Sequence, residues 1–194
     1  DARDRTATFA RYSVVGTLVA AVGALAAGVP AALAQATGWP LRTTLQAMFA
    51  LYGLLGVAAA WSYRGLPRSL ETPAAVPRVP LHASRRAVYT LAALFSLDAF
   101  GGGFVITALL VLWLQRRFGL SIAVTGAVFF WAGVLSAFSA LVAVRIARRI
   151  GLVRTMVFTH LPSNVLLMLI PLAPTLGVAV GLLLARSALS QMDV

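Results

Sequence analysis

Asp98 stands in the middle of an apolar run from about residue 87 to 114, and Arg186 lies inside another near the carboxyl end. An apolar stretch of roughly 20 residues is enough to cross a bilayer. An ionisable group at that depth costs about 2.5–3.5 kcal/mol on insertion scales, so a chain that keeps one has either a use or a local partner for it. At about 1.5 Å per helical residue, Asp98 lies roughly 18 Å beyond Arg86, and Arg186 roughly 16 Å from Thr175. In a hydrocarbon core about 30 Å thick, the two reach similar depth. The chemistry expected of them is that of a charge pair for which a permeant or a proton competes. The plainer alternative is that Asp98 bonds to backbone or hydroxyls while Arg186 extends its side chain to the headgroups.

One turn beyond Asp98 come Gly101, Gly102 and Gly103. Glycine weakens a helix interior, so three in a row are expected to let the helix bend as a cavity opens. A close helix crossing would also use them. His160 and Asn164 are four apart, on one helical face, with Ser163 beside them and Pro162 between. That pair suits a proton relay or an interhelical hydrogen bond. Trp131 follows Phe129 and Phe130 in mid-span; it could stack on an aromatic or cationic substrate, or pack against lipid or a neighbouring helix. His82 falls in a polar stretch and reads as solvated. Asp193 at a helix carboxyl end opposes the helix dipole, which suggests a partner elsewhere.

The elements that must hold these residues follow from composition. Of 194 residues, 60% are apolar and only 11% charged, with a mean hydropathy of +0.91. A soluble domain carries about 25% charged residues. The expected class is all-α, a polytopic helical membrane protein, with the lipid bilayer as its first partner. The net charge of +11 would point to nucleic acid in a soluble protein. Here the basic residues, all sixteen of them arginine, cluster between apolar spans, so they read as a topology signal and nucleic-acid binding is not expected. There is no cysteine, hence no disulfide framework and no thiolate metal site. No metal or cofactor is expected. The chain opens on charged residues without an initiator methionine and stops abruptly, so it is expected to be a piece of a longer protein, monomeric when complete.

Six spans can be drawn, at about 9–34, 44–63, 88–114, 121–144, 153–172 and 175–192. Gly16, Gly23 and Gly28 run through the first, and spaced small residues let backbones approach closely, either for tight packing or for a sliding face. Gly38, Trp39 and Pro40 make a turn. The second span ends on Trp61, Tyr63 and Arg64, an aromatic belt followed by a charge. Residues 65–87 hold Pro67, Pro73, Pro77 and Pro80, and are too polar to span and too proline-rich for one helix. The last four spans are joined by short loops at 115–120, at 145–152 and around 171–174, which makes successive spans antiparallel neighbours. With the amino end in the cytoplasm, twelve arginines lie inside and three outside, Arg42, Arg116 and Arg117. The 65–87 linker is then cytoplasmic.

This layout resembles the major facilitator superfamily of transporters, two six-helix bundles joined by a long cytoplasmic loop. The resemblance implies that residues 1–63 are the last two helices of the amino-terminal bundle and that 64–87 are the central loop. Residues 88–194 would be the first four helices of the carboxyl-terminal bundle. Arg149 and Gly151 fit the Arg-x-Gly element of the family's loop between helices eight and nine. Arg148 stands where that motif has an acid, and Leu152 and Val153 where it has basic residues. In the resembled fold, the helices of Asp98 and Arg186 border the central cavity. The implied function is secondary transport of a small molecule by alternating access, coupled to protons, in the export direction, in the cell's inner membrane.

A membrane enzyme and a non-transporting scaffold are the other classes. A serine protease within the membrane would need a Gly-x-Ser-x-Gly-like site, and no Gly-x-Ser-x-Gly occurs. A metal-dependent transferase needs several acids, and Asp98 is the only one well inside a span.

Overall fold

A computed structural model describes residues 2–65 and 107–189, and between them 85, 86, 88–90, 92, 93, 96 and 100, with side chains from Arg11 onwards except 152 and 153. Every element is helical, and no strand occurs among the described residues. The chain divides into two units, residues 1–37 with 114–194, and residues 38–113.

The first unit opens with α1 (Ala2–Ala26), a turn at 27–28 and α2 (Val29–Thr37). Pro30 causes the break. It has no N–H to donate to the preceding turn, and its ring crowds the carbonyl four residues back. Ala27 and Gly28 therefore bond to Ala24 and Leu25, three residues back, at 3.3 and 3.4 Å. After the break Ala32 bonds to Gly28 and helix resumes.

Next in this unit is α5 (Ile122–Ile150), which follows α4 (Thr107–Phe118). Ser121 caps α5, its hydroxyl accepting from the Val124 N–H at 3.3 Å. A hydroxyl at this position satisfies one of the donors that a helix start leaves open. α5 packs along α1. A methyl on Gly133 would stand 2.6 Å from Ala21 Cβ, one on Gly126 would overlap the Ala24 carbonyl oxygen, and one on Gly28 would meet Ala123 Cβ at 3.0 Å. Residue numbers fall along α1 as they rise along α5, so the two helices are antiparallel. Only glycine permits backbones this close.

α6 (Leu152–Leu169) starts one residue after α5 ends, a 3-10 turn covers Ile170–Leu172, and α7 (Leu176–Leu189) packs against both α5 and α6. Expected boundaries need correction here. The sequence predicts a fourth span ending at 144, with 145–152 as a loop. The helix instead runs to Ile150, and the corner is Gly151 alone, at φ +89°. The arginines end the apolar stretch but not the helix, because arginine is a good helix former once it is out of hydrocarbon. The 115–120 loop shortens likewise to 119–121, with Gly119 at φ +68°.

The second unit holds the turn at 38–40, with Gly38 at φ +72°, and α3 (Leu41–Arg64). Of α3 only Thr44 is buried; Phe49, Tyr52, Leu54, Leu55 and Val57 are exposed around the helix. An apolar helix exposed on all sides is unsuited to water. Its end carries the expected aromatic belt, with the Arg64 guanidinium 5.4 Å from the Trp61 ring centroid. Four helical stretches are long and apolar enough to cross a bilayer: Arg11–Thr37, Leu41–Arg64, Ile122–Ile150 and Arg154–Leu172. Leu176–Leu189 is a shorter apolar helix. The chain therefore has the helices of a membrane protein. Nearly half of the third expected span, including its centre at 101–106, and nearly all of the 64–87 loop lie outside the described residues.

Candidate functional site

Polar side chains collect inside the α5–α6–α7 group. On α6, Thr155, Thr159 and Ser163 recur every four residues, and all are buried. The spacing puts them on one face. Thr155 Oγ1 donates to the Gly151 carbonyl at 2.9 Å, and Thr159 Oγ1 to the Thr155 carbonyl at 2.8 Å. Hydroxyls satisfied by their own helix can be buried at little cost, and their small volume lets helices pack closely.

α5 and α7 meet through a hydrogen bond between helices. Ser136 Oγ donates to the Ser187 carbonyl at 3.0 Å, while Ser187 Oγ donates to the Leu183 carbonyl at 2.9 Å. Around this contact Ala132, Ala137, Ala140, Ala179 and Leu183 are buried. One turn along α5, the Ser139 hydroxyl oxygen is buried and has no hydrogen-bond partner among the described residues.

Arg186 lies next to Ser187. Its side chain is partly buried, and its Nε is fully enclosed with no hydrogen-bond partner among the described residues. Counted from the 173–175 turn at about 1.5 Å per residue, Arg186 is roughly 16 Å down α7, and Thr159 and His160 roughly 18–20 Å down α6. The structure thus places Arg186 and His160 at comparable depth on two helices that pack together. His160 is partly buried, whereas Asn164 is exposed, so the two expected partners differ in environment. No carboxylate side chain is among the described residues. Asp98, Gly101, Gly102 and Gly103 lie outside them, as does any pairing of Asp98 with Arg186.

Trp131 lies apart from this group. It is 58% exposed on α5, edge-on to Phe130 with ring centroids 5.4 Å apart and planes at 71°. A stacking role would need a further element to cover it. Arg149 is exposed at the end of α5, and Gly151 forms the corner to α6.

Sequence reasoning named Arg186 and His160 but passed over Ser136, Ser139, Ser187, Thr155 and Thr159. The available signal was hydroxyls four apart in an otherwise apolar segment. No group of three or more His, Cys, Asp or Glu that could hold a metal occurs among the described residues. Comparison with protein-family models, curated proteins and solved structures finds no match to this chain.

Proposed function

We propose that the chain forms part of a secondary transporter of the major facilitator type, moving a small amphiphilic solute across the inner membrane by alternating access, with protons as the coupling ion and export as the direction. Arg186 carries this reading. It is a cation in the last turn of the apolar helix α7, roughly 16 Å from the 173–175 turn, with an enclosed Nε lacking a hydrogen-bond partner among the described residues. Keeping such a charge in the hydrocarbon region is costly, and proteins that keep one use it along a solute or ion pathway. Ser139 adds a second unfilled hydrogen-bonding group in the same helix group. The antiparallel α1–α5 pair also fits the proposed six-span order, in which the first span runs outward and the fourth inward.

The test is solute flux. Protein in liposomes with an imposed pH gradient is assayed with ethidium as a cationic amphiphile and taurocholate as an anionic one. Flux of at least one is expected to depend on the gradient. Arg186→Gln and Arg186→Leu are expected to lower it at least about tenfold, while thermal stability in detergent holds or rises, since a charged group with an enclosed Nε is removed from an apolar setting. Absence of flux for every solute, or full flux in both variants, overturns the proposal.

A further inference from the structure

We infer that the outer face of α5 holds an anionic phospholipid, with acyl chains along Phe138, Leu141 and Val142 and its phosphodiester among Arg145, Arg148, Arg149 and Arg154. The inference needs only that the chain spans a membrane, and stands apart from the transport proposal.

The length of α5 sets the place. Its 29 residues at about 1.5 Å each extend roughly 43 Å. That matches a bilayer with its headgroups, about 40–45 Å, and not the hydrocarbon core alone, about 30 Å. If hydrocarbon begins near Ile122, it ends about 20 residues later, near Val142. Arg145, Arg148 and Arg149 then lie in the headgroup layer. Arg154 rejoins them from α6, because the corner between the helices is one residue, Gly151.

The face sets the ligand. Phe138, Leu141 and Val142 are exposed at 61%, 40% and 44%. At about 100° per residue these three and Arg145, Arg148 and Arg149 fall within an arc of roughly 120°. That arc lies away from Ser136, which contacts α7, and from Gly126 and Gly133, which contact α1. An apolar stripe running without a break into a basic cluster matches one molecule with tails and a phosphate. A free phosphate would leave the stripe unused.

The cluster is basic. All four arginines are exposed. No acidic residue occurs in the sequence between 99 and 192. Arginine presents a planar fork of donors suited to phosphate oxygens. Basic clusters immediately beyond a membrane span attract anionic lipid.

Quenching by brominated lipid tests the site. Trp39, Trp61, Trp113 and Trp131 are replaced by Phe, and Phe138→Trp places the single fluorophore on the stripe. The protein is reconstituted in phosphatidylcholine vesicles containing a minority of either phosphatidylglycerol or phosphatidylcholine with brominated chains. Phosphatidylglycerol is expected to be favoured over phosphatidylcholine on the order of tenfold. Changing Arg145, Arg148, Arg149 and Arg154 together to Gln should bring the ratio to one, whereas Arg85→Gln with Arg86→Gln should leave it. Equal quenching by both lipids overturns the inference. So does a preference that survives the fourfold change, one lost equally in the Arg85/Arg86 variant, or one displaced by excess inorganic phosphate. Should the single-Trp protein not fold, native mass spectrometry of the unaltered protein from mixed micelles serves instead. At least one retained phosphatidylglycerol is expected, lost in the fourfold variant, and its absence from the unaltered protein overturns the inference.

Discussion

Gly151 and Arg186 show two ways in which one residue type is forced by its surroundings. Gly151 has φ +89° and ψ 155°, a region essentially closed to residues with a Cβ. Nothing lies within 4 Å of where a Cβ would stand, so the demand comes from the backbone alone. Gly151→Ala is expected to cost about 1–3 kcal/mol of stability. Gly177→Ala supplies the contrast. Gly177 is helical, exposed and equally unobstructed, so that change should be neutral or stabilise by up to about 1 kcal/mol. Thermal unfolding of both variants in one detergent decides it: equal midpoints would show that the corner does not need its glycine. Gly151 was legible in the sequence as part of a loop pattern, but its conformation was not, since spacing alone carries no dihedral angle. Arg186 was legible by depth counting. Its enclosed Nε was not, because burial depends on helix faces that are fixed only when the helices pack.

At the scale of elements, the closest packing belongs to α1 and α5. The sequence singles out Gly16, Gly23 and Gly28, yet among the described residues only Gly28 meets another helix, while nothing lies within 4 Å of a Cβ at Gly16 or Gly23. Gly126 and Gly133, which make the closest approaches, went unnoticed. The clue was a matched interval. Ala21 and Gly28 are seven apart, as are Gly126 and Gly133, and a seven-residue step returns to nearly the same helix face. Two stretches with the same small-residue period, one before the linker and one after it, can mesh, but a search within a single span does not see this. The contact predicts a cross-link. Gly28 and Ala123 face each other with 3.0 Å between their Cβ positions, slightly inside the spacing of about 3.8 Å that a disulfide needs. Gly28→Cys with Ala123→Cys should oxidise readily, and the chain has no other cysteine to confuse the result. Proteolysis within the 65–87 linker should then leave the two pieces joined until reductant is added. Pieces that separate without reductant would rule out the α1–α5 contact. Adding Gly126→Leu to the pair should reduce the cross-link severalfold, since the new side chain must displace the Ala24 carbonyl.

At the scale of the whole molecule, the question is which ends of the helices share a side of the membrane. By the positive-inside rule, twelve arginines against three predict a cytoplasmic side for the amino end, the linker and the α5–α6 corner. The α1–α5 register is an independent constraint, since two antiparallel spans enter from opposite sides. Their ends are therefore linked: if Arg11, near the start of α1, is inside, the end of α5 near Arg145–Arg149 is inside as well. A third line is the depth of the Ser136–Ser187 bond. Ser136 is about 22 Å from residue 121 and Ser187 about 18 Å from Thr175, which agrees if 121 and 175 lie on the same, outer side. The local exception is Arg116-Arg117, which this arrangement places outside. Arg117 lies 5.8 Å from the Phe118 ring centroid, a stacking that suits an aromatic interface on either side. Cysteine labelling separates the possibilities. Leu172→Cys, 75% exposed beside the Pro171–Pro174 turn, and Ile150→Cys, 40% exposed at the other corner, are each made in the cysteine-free chain. In intact spheroplasts a membrane-impermeant maleimide should label Leu172→Cys and spare Ile150→Cys until the cells are opened. The reverse pattern would invert the whole arrangement and put the basic corner outside. Labelling of both in intact cells would mean that α6 does not cross the membrane at all, since the two positions bracket it. That outcome would leave Arg186 without the depth on which the transport proposal rests.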